Sequence, residues 1–168
     1  MKNTDKFLIG IVAGVVILIG LAFTVALTRP KPTYQADGTP EGAAHNYLLA
    51  LRQGDYERAY GYLSPEFKHY PHTLNAFISD VQDNSYNFSL NDESVTLEVL
   101  SSQVGSDFAT VEVRETTFYE GDLFSSGESS STFRMKLRRS AQGTWLIYDS
   151  DSYWAYCWGN TNTYASCD

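Results

Sequence analysis

Proton transfer needs an Asp, Glu or His held within reach of a substrate. Three residues in this chain are candidates for that work: His45, Asp80 and Asp149. His45 stands beside Ala44, one step off an apolar helical stripe. Asp80 lies between Ser79 and Val81, and Asp149 follows Ile147 in an alternating run. His69 and His72 flank Tyr70 and Pro71, and Asp151 comes two places after Asp149. No two of these are spaced as a recognisable acid–base pair, and each is better explained as a cap or a solvated side chain. The three are therefore catalytic candidates without a catalytic set. No nucleotide-binding glycine loop, zinc ligand set, haem motif or serine-hydrolase elbow occurs, so no cofactor or metal is expected.

Thiol chemistry is confined to Cys157 and Cys167, the two cysteines of the chain, with nine residues between them. Such a lone pair suggests a disulfide and an oxidising compartment. Closing the loop would contribute roughly 2.5–3 kcal/mol on the chain-entropy account. Two free thiols are the alternative. A metal site needs more ligands than this tail offers, because no His lies near and Asp168 alone is not enough.

The elements that would position these residues begin with an apolar run. Phe7 to Leu27 reads FLIGIVAGVVILIGLAFTVAL, twenty-one residues without a charge. As a helix it is about 31 Å long, enough to cross a hydrocarbon core of roughly 30 Å. A cleaved signal peptide has a shorter apolar core and a small-residue cleavage site. Here Val25, Leu27 and Arg29 surround the one candidate cut near Ala26. A buried soluble helix would need an apolar shell on every side. The expectation is an uncleaved anchor at 7–27 with the bilayer as its partner. Lys2 and Lys6 on one side nearly balance Arg29 and Lys31 on the other, so loop charge does not orient it. The cysteine pair does: residues 1–6 are expected in the cytoplasm and the C-terminal domain outside. Gly10 and Gly14 form a GxxxG that would let a second helix approach, from another copy or another membrane subunit.

Residues 28–38 hold two prolines within four residues, and a stiff spacer is expected there. The rest is long enough for one domain, expected at 39–152 with a tail at 153–168. Of the 20 acidic and 12 basic residues, 19 and 8 respectively lie from Thr33 onward. An acidic domain is repelled by nucleic acid and by anionic lipid, so nucleic-acid binding is disfavoured.

Within the domain, helices come first. Thr39-Pro40-Glu41 is a cap, a proline at the first helical position and an acid in the first turn. Ala43, Ala44, Tyr47, Leu48 and Leu51 make the apolar face, and Gly54 stops the helix. Asp55 caps a second short helix with Tyr56, Ala59, Tyr60 and Leu63 inward. Ser64-Pro65-Glu66 repeats the start signal. A third helix is predicted over 71–81, carrying Leu74, Phe77, Ile78 and Val81.

From Tyr86 the period becomes two. Val95, Leu97 and Val99, then Ala109, Val111 and Val113, then Phe133, Met135 and Leu137 alternate with polar neighbours, and Trp145 and Ile147 open a last strand. This predicts a sheet with one buried and one wet face. Residues 121–131 read as a hairpin loop. Arg134, Lys136 and Arg138 form a basic stripe that could pair across strands with Glu112 and Glu115, or bind an anion. Asn87-Phe88-Ser89 matches a glycosylation sequon, relevant only in a eukaryotic secretory route.

The run TPEGAAHNYLLALRQGDYERAYGYLSPEF, Thr39 to Phe67, resembles the opening of bacterial membrane-anchored nuclear-transport-factor-2-like domains. In these a first helix ends in a Gly-Asp-Tyr step and a second ends at Leu-Ser-Pro-Glu. Gly143-Thr144-Trp145-Leu146-Ile147 is similar to their last strand. The resemblance covers about Thr39 to Ser152. It implies an α+β cone, with three helices packed on a curved antiparallel sheet of four to six strands. The superfamily contains isomerases, dehydratases and hydrolases, and also non-catalytic binding domains, so fold does not choose between them.

The inward strand positions are apolar, which favours a filled core or an apolar ligand pocket over polar catalysis. Tyr153, Trp154, Tyr156, Trp158 and Tyr164 crowd the tail around the cysteines. They would close the cone mouth or present anchors to a partner protein. The sequence as a whole favours a membrane-anchored, non-catalytic binding or accessory module. The alternatives are a binder of an apolar small molecule and an isomerase- or hydrolase-type enzyme.

Overall fold

The computed structural model describes residues 2–27, 32–89, 94–119 and 127–159. The chain divides into two compact units, 1–32 and 33–168. In the first, α1 spans Lys2–Leu27. Its segment Lys6–Thr24 has mean hydropathy 2.7 and is buried nowhere within the structure. It is thus one helix long and apolar enough to cross a membrane. The Thr24 hydroxyl donates to the Gly20 carbonyl at 2.8 Å, so this polar group is satisfied inside the helix itself.

The second unit is α+β. Four strands, β1 (Val95–Val104), β2 (Phe108–Tyr119), β3 (Gly127–Arg139) and β4 (Trp145–Ser150), form an antiparallel sheet in sequence order. Alternation puts Ala109, Val111 and Val113, then Phe133, Met135 and Leu137, then Trp145 and Ile147 on the buried face. The helices α2 (Pro40–Gln53), α3 (Tyr56–Gly61), α4 (Leu74–Asp83) and the single turn α5 (Ser85–Phe88) precede the sheet. The Thr39 hydroxyl accepts from the Gly42 N–H, Pro40 opens α2, and Gly54 closes it at φ 69°, a left-handed conformation that suits glycine. Asp55 accepts from the Arg58 N–H and caps α3.

All five residues of the predicted α2 stripe are buried, and so are Asn46, Leu49 and Ala50. The wider burial has a cause. Residues 33–37 lie along the remaining side of α2, where Asn46 bonds both the N–H and the carbonyl of Gln35. The compact unit therefore starts at Thr33, inside the stretch expected to be spacer.

Several expectations change. Ser64-Pro65-Glu66 starts no helix, because the Ser64 N–H donates to the Ile147 carbonyl and Leu63 bridges to Ile147 on the free edge of β4. The third helix starts at Leu74, since Thr73 supplies the cap by accepting from the Ala76 N–H. A fourth helical turn, α5, stands where alternation was expected from Tyr86, and it buries Phe88. β3 begins at Gly127, and Ser129, Ser130 and Ser131 pair with Thr117, Thr116 and Glu115, so the predicted loop is partly strand.

The basic stripe is ion-paired, but with other carboxylates than expected. Arg134 meets Asp151, Lys136 meets Asp149, and Arg138 meets Glu66. Glu112 and Glu115 instead accept from the Ser101 hydroxyl and the Tyr153 hydroxyl. The register of β4 decides this, since it sets Asp149 opposite Lys136.

Candidate functional site

The three acid–base candidates sit on three elements and hold three unrelated partners. His45 on α2 contacts the Thr33 carbonyl through Nε2 at 3.1 Å. Asp149 on β4 accepts from the Lys136 ammonium at 2.7 Å, and this contact raises the lysine's pKa. Asp80 on α4 is 6% exposed and accepts from the Trp158 indole N–H at 2.7 Å. Burial pushes the Asp80 carboxyl up, and the indole hydrogen bond opposes it. The structure does not assemble these residues into an acid–base set. Among the described residues, no group of three metal-ligating side chains comes together.

The aromatic tail was expected to close the fold or to present anchors, and most of it is interior. Tyr153 is 1% exposed and Trp158 3%, and Trp154 is buried with them. The Tyr47 hydroxyl donates to the Tyr153 carbonyl, and the Tyr153 hydroxyl donates to Glu115, both at 2.8 Å. The Trp158 ring stacks on Phe77 at 5.6 Å and meets Phe88 edge-on at 5.9 Å. Phe67 packs on both tryptophans. Buried Tyr and Trp need partners for their polar tips, and each of these has one. Tyr153, Trp154 and Trp158 are thus core residues rather than partner anchors. Tyr156 is the exception at 68% exposed, beside a cleft of about 350 Å3. Tyr164 and Cys167 lie outside the described residues, and the disulfide pairing with them. Cys157 is buried, and its carbonyl contacts His69 Nδ1 at 3.1 Å. Among the described residues, nothing beyond the local helix backbone stands within 4 Å of where a Cβ on Gly10 or Gly14 would lie.

A second constellation escaped the sequence. Arg58 on α3 lies with its guanidinium carbon 3.5 Å from the centre of the Tyr34 ring. Its Nε donates to the Tyr62 hydroxyl at 3.4 Å, and that hydroxyl donates to Asp37 Oδ1 at 2.6 Å. Asn46 donates to the same oxygen at 2.5 Å. The Tyr62 hydrogen bond chiefly holds the Asp37 carboxyl below its usual range, so it is ionised at neutral pH. Asp37, Arg58 and Tyr62 line a cleft of about 420 Å3 with Thr144, Trp145 and Leu146. The signal available was Asp37 five residues after Arg-Pro-Lys-Pro, which reads as spacer unless the fold is known.

No protein-family model matches this sequence, and no curated protein matches it. Solved structures similar to it include a SEC-C motif containing protein from Rhodopseudomonas palustris. That protein is 17% identical, over 70% of this chain and 81% of the other, with a TM-score of 0.48. AclR from Streptomyces galilaeus, described as a "putative hydroxylase", is 14% identical over 66% and 86%, with a TM-score of 0.40. Neither likeness carries an activity to this chain.

Proposed function

We propose that this chain is a single-span, membrane-anchored accessory module whose non-catalytic domain lies outside the cytoplasm and docks on another membrane or envelope protein. The observation that carries the reading is α1: nineteen apolar-rich residues, Lys6–Thr24, buried by nothing within the structure. An exposed apolar surface of that size needs a cover, and a bilayer supplies it. The domain supports a binding role, because each acid–base candidate is engaged by a structural partner. We assign the domain to the nuclear-transport-factor-2-like superfamily on the resemblance of Thr39 to Phe67 and Gly143 to Ile147. The apolar-ligand reading has less support, since Trp154 and Trp158 are buried in the same apolar cluster as the helix and strand residues.

The test is purification of the full chain from its native membranes in mild detergent, followed by light scattering and mass spectrometry of the eluted species. A stoichiometric complex, with the same chain or a second membrane protein, is expected. Recovery of monomer alone at native abundance overturns the docking role, and release of the chain by alkaline carbonate overturns the anchor.

A further inference from the structure

We propose that the cleft between α3 and the start of β4 is a binding site for a free α-amino acid with an apolar side chain, held as its zwitterion by Arg58 and Asp37. Three observations meet there. Arg58 is held in place before any ligand arrives, by the Tyr34 ring under its guanidinium and the Tyr62 hydroxyl on its Nε. Among the described residues no carboxylate forms an ion pair with it. Its two terminal nitrogens thus keep the planar fork that a carboxylate accepts in bidentate fashion.

Asp37 is the second observation. It lines the same cleft, ionised, with Oδ1 taken by Tyr62 and Asn46 and Oδ2 bonded by none of the described residues. A simple anion on Arg58 would face this carboxylate and the acidic excess of the whole domain. A ligand that also carries an ammonium group turns that repulsion into attraction. The Tyr62 hydroxyl bridges the two charged groups, which places Arg58 Nε and Asp37 Oδ1 within about 6 Å of each other. A ligand with ammonium and carboxylate on one carbon suits two charged side chains that meet through a single shared hydroxyl. The termini of a dipeptide lie further apart, since consecutive Cα atoms are about 3.8 Å apart.

The third observation is the rest of the lining. Leu146 and the small exposed edge of Trp145 add apolar lining, and the volume of about 420 Å3 falls in the range of small-ligand pockets. That favours an apolar side chain over a charged one.

Calorimetric titration of the full chain in detergent micelles with leucine tests this directly. Saturable binding is expected with a dissociation constant of about 1 mM or tighter. N-acetylleucine, without the ammonium, and leucine methyl ester, without the carboxylate, are each expected to bind about tenfold more weakly, as is leucyl-leucine. Arg58→Gln should abolish binding and Arg58→Lys should weaken it, because the ammonium lacks the fork. The comparison of leucine with its two blocked forms uses unaltered protein, so it stands even if a variant misfolds. No saturable heat up to about 10 mM leucine, equal binding of either blocked form, or wild-type affinity in a folded Arg58→Gln protein overturns the proposal.

Discussion

Trp158 and Asp80, 78 residues apart in the chain, share a buried hydrogen bond: the indole Nε1 donates to the carboxylate Oδ2 at 2.7 Å. The bond fastens the C-terminal segment to α4. Around it, Phe67, Phe77, Phe88 and Trp154 pack on the same indole. Trp158→Ala removes the ring and leaves the acid without its donor. Its cost is expected at about 3–5 kcal/mol, the usual range for a buried aromatic. Trp158→Phe keeps most of the packing, and its cost of about 1–3 kcal/mol is that of the lost donor. Thermal melts of the full chain in micelles, followed by near-ultraviolet dichroism, would rank the two. An alanine variant that melts with the wild type would show that the tail is no part of the core.

Asp80 also makes stability depend on pH. Burial is the largest influence on its carboxyl and raises its pKa, the indole N–H lowers it, and Asp83 raises it further. An acid whose folded pKa lies above the unfolded value of about 3.9 binds its proton more tightly when folded. Its contribution is complete below the unfolded value and is lost as pH rises through the folded one. Asp80→Asn keeps an oxygen for the indole and cannot ionise. At about pH 7 it should melt as high as the wild type or higher, and the advantage should vanish near pH 4. A lower melting temperature at neutral pH would mean that the carboxylate charge itself is stabilising.

Asn46 holds the entry segment. Its side chain accepts from the Gln35 N–H at 2.7 Å and donates to the Gln35 carbonyl at 2.9 Å and to Asp37. Asn46→Ala loses all three bonds at a buried position, and about 2–3 kcal/mol of destabilisation is expected. Gly42→Ala attacks the same contact from another side, because a Cβ there would run into the Ala36 carbonyl oxygen. Both variants should make residues 33–37 the first site of limited proteolysis while α2 stays protected. Cleavage patterns like the wild type's would show that the segment is held by other contacts.

The parts of this fold that local chemistry dictates could be read from the residues. Thr39-Pro40 and Gly54 bound a helix because a hydroxyl cap, a proline and a left-handed glycine act within a few residues of each other. The alternation at Ala109, Val111 and Val113 needs only the strand's own period. What escaped is long-range. The strand register puts Asp149 opposite Lys136, and nothing near Glu112 announces that it takes a serine hydroxyl instead. Aromatic residues such as Tyr153 and Trp158 suit a partner surface and a core equally well, and only the packing of Tyr153 on Phe133 and of Trp158 on Phe77 and Phe88 decides. The Arg58–Tyr62–Asp37 chain depends on residues 33–37 lying against α2, which no local pattern signals.

The last prediction joins Cys157 to the orientation of the anchor. Cys157 precedes Trp158 and is itself buried, so a covalent link from it would tighten the segment that Asp80 fastens. If the domain lies in an oxidising compartment, Cys157 and Cys167 are bonded. Denatured protein from intact cells should then take up no maleimide before reduction and two equivalents after it. Cys157→Ser should cost roughly 2.5–3 kcal/mol by losing the closed loop, and reduction of the wild type should cost the same amount. Protease added outside intact cells stripped of any outer barrier should digest the domain and spare the N-terminus. Labelling of unreduced protein at both thiols, together with a protected domain, would reverse the orientation. The anchor would remain, but the docking partner would then have to be sought in the cytoplasm.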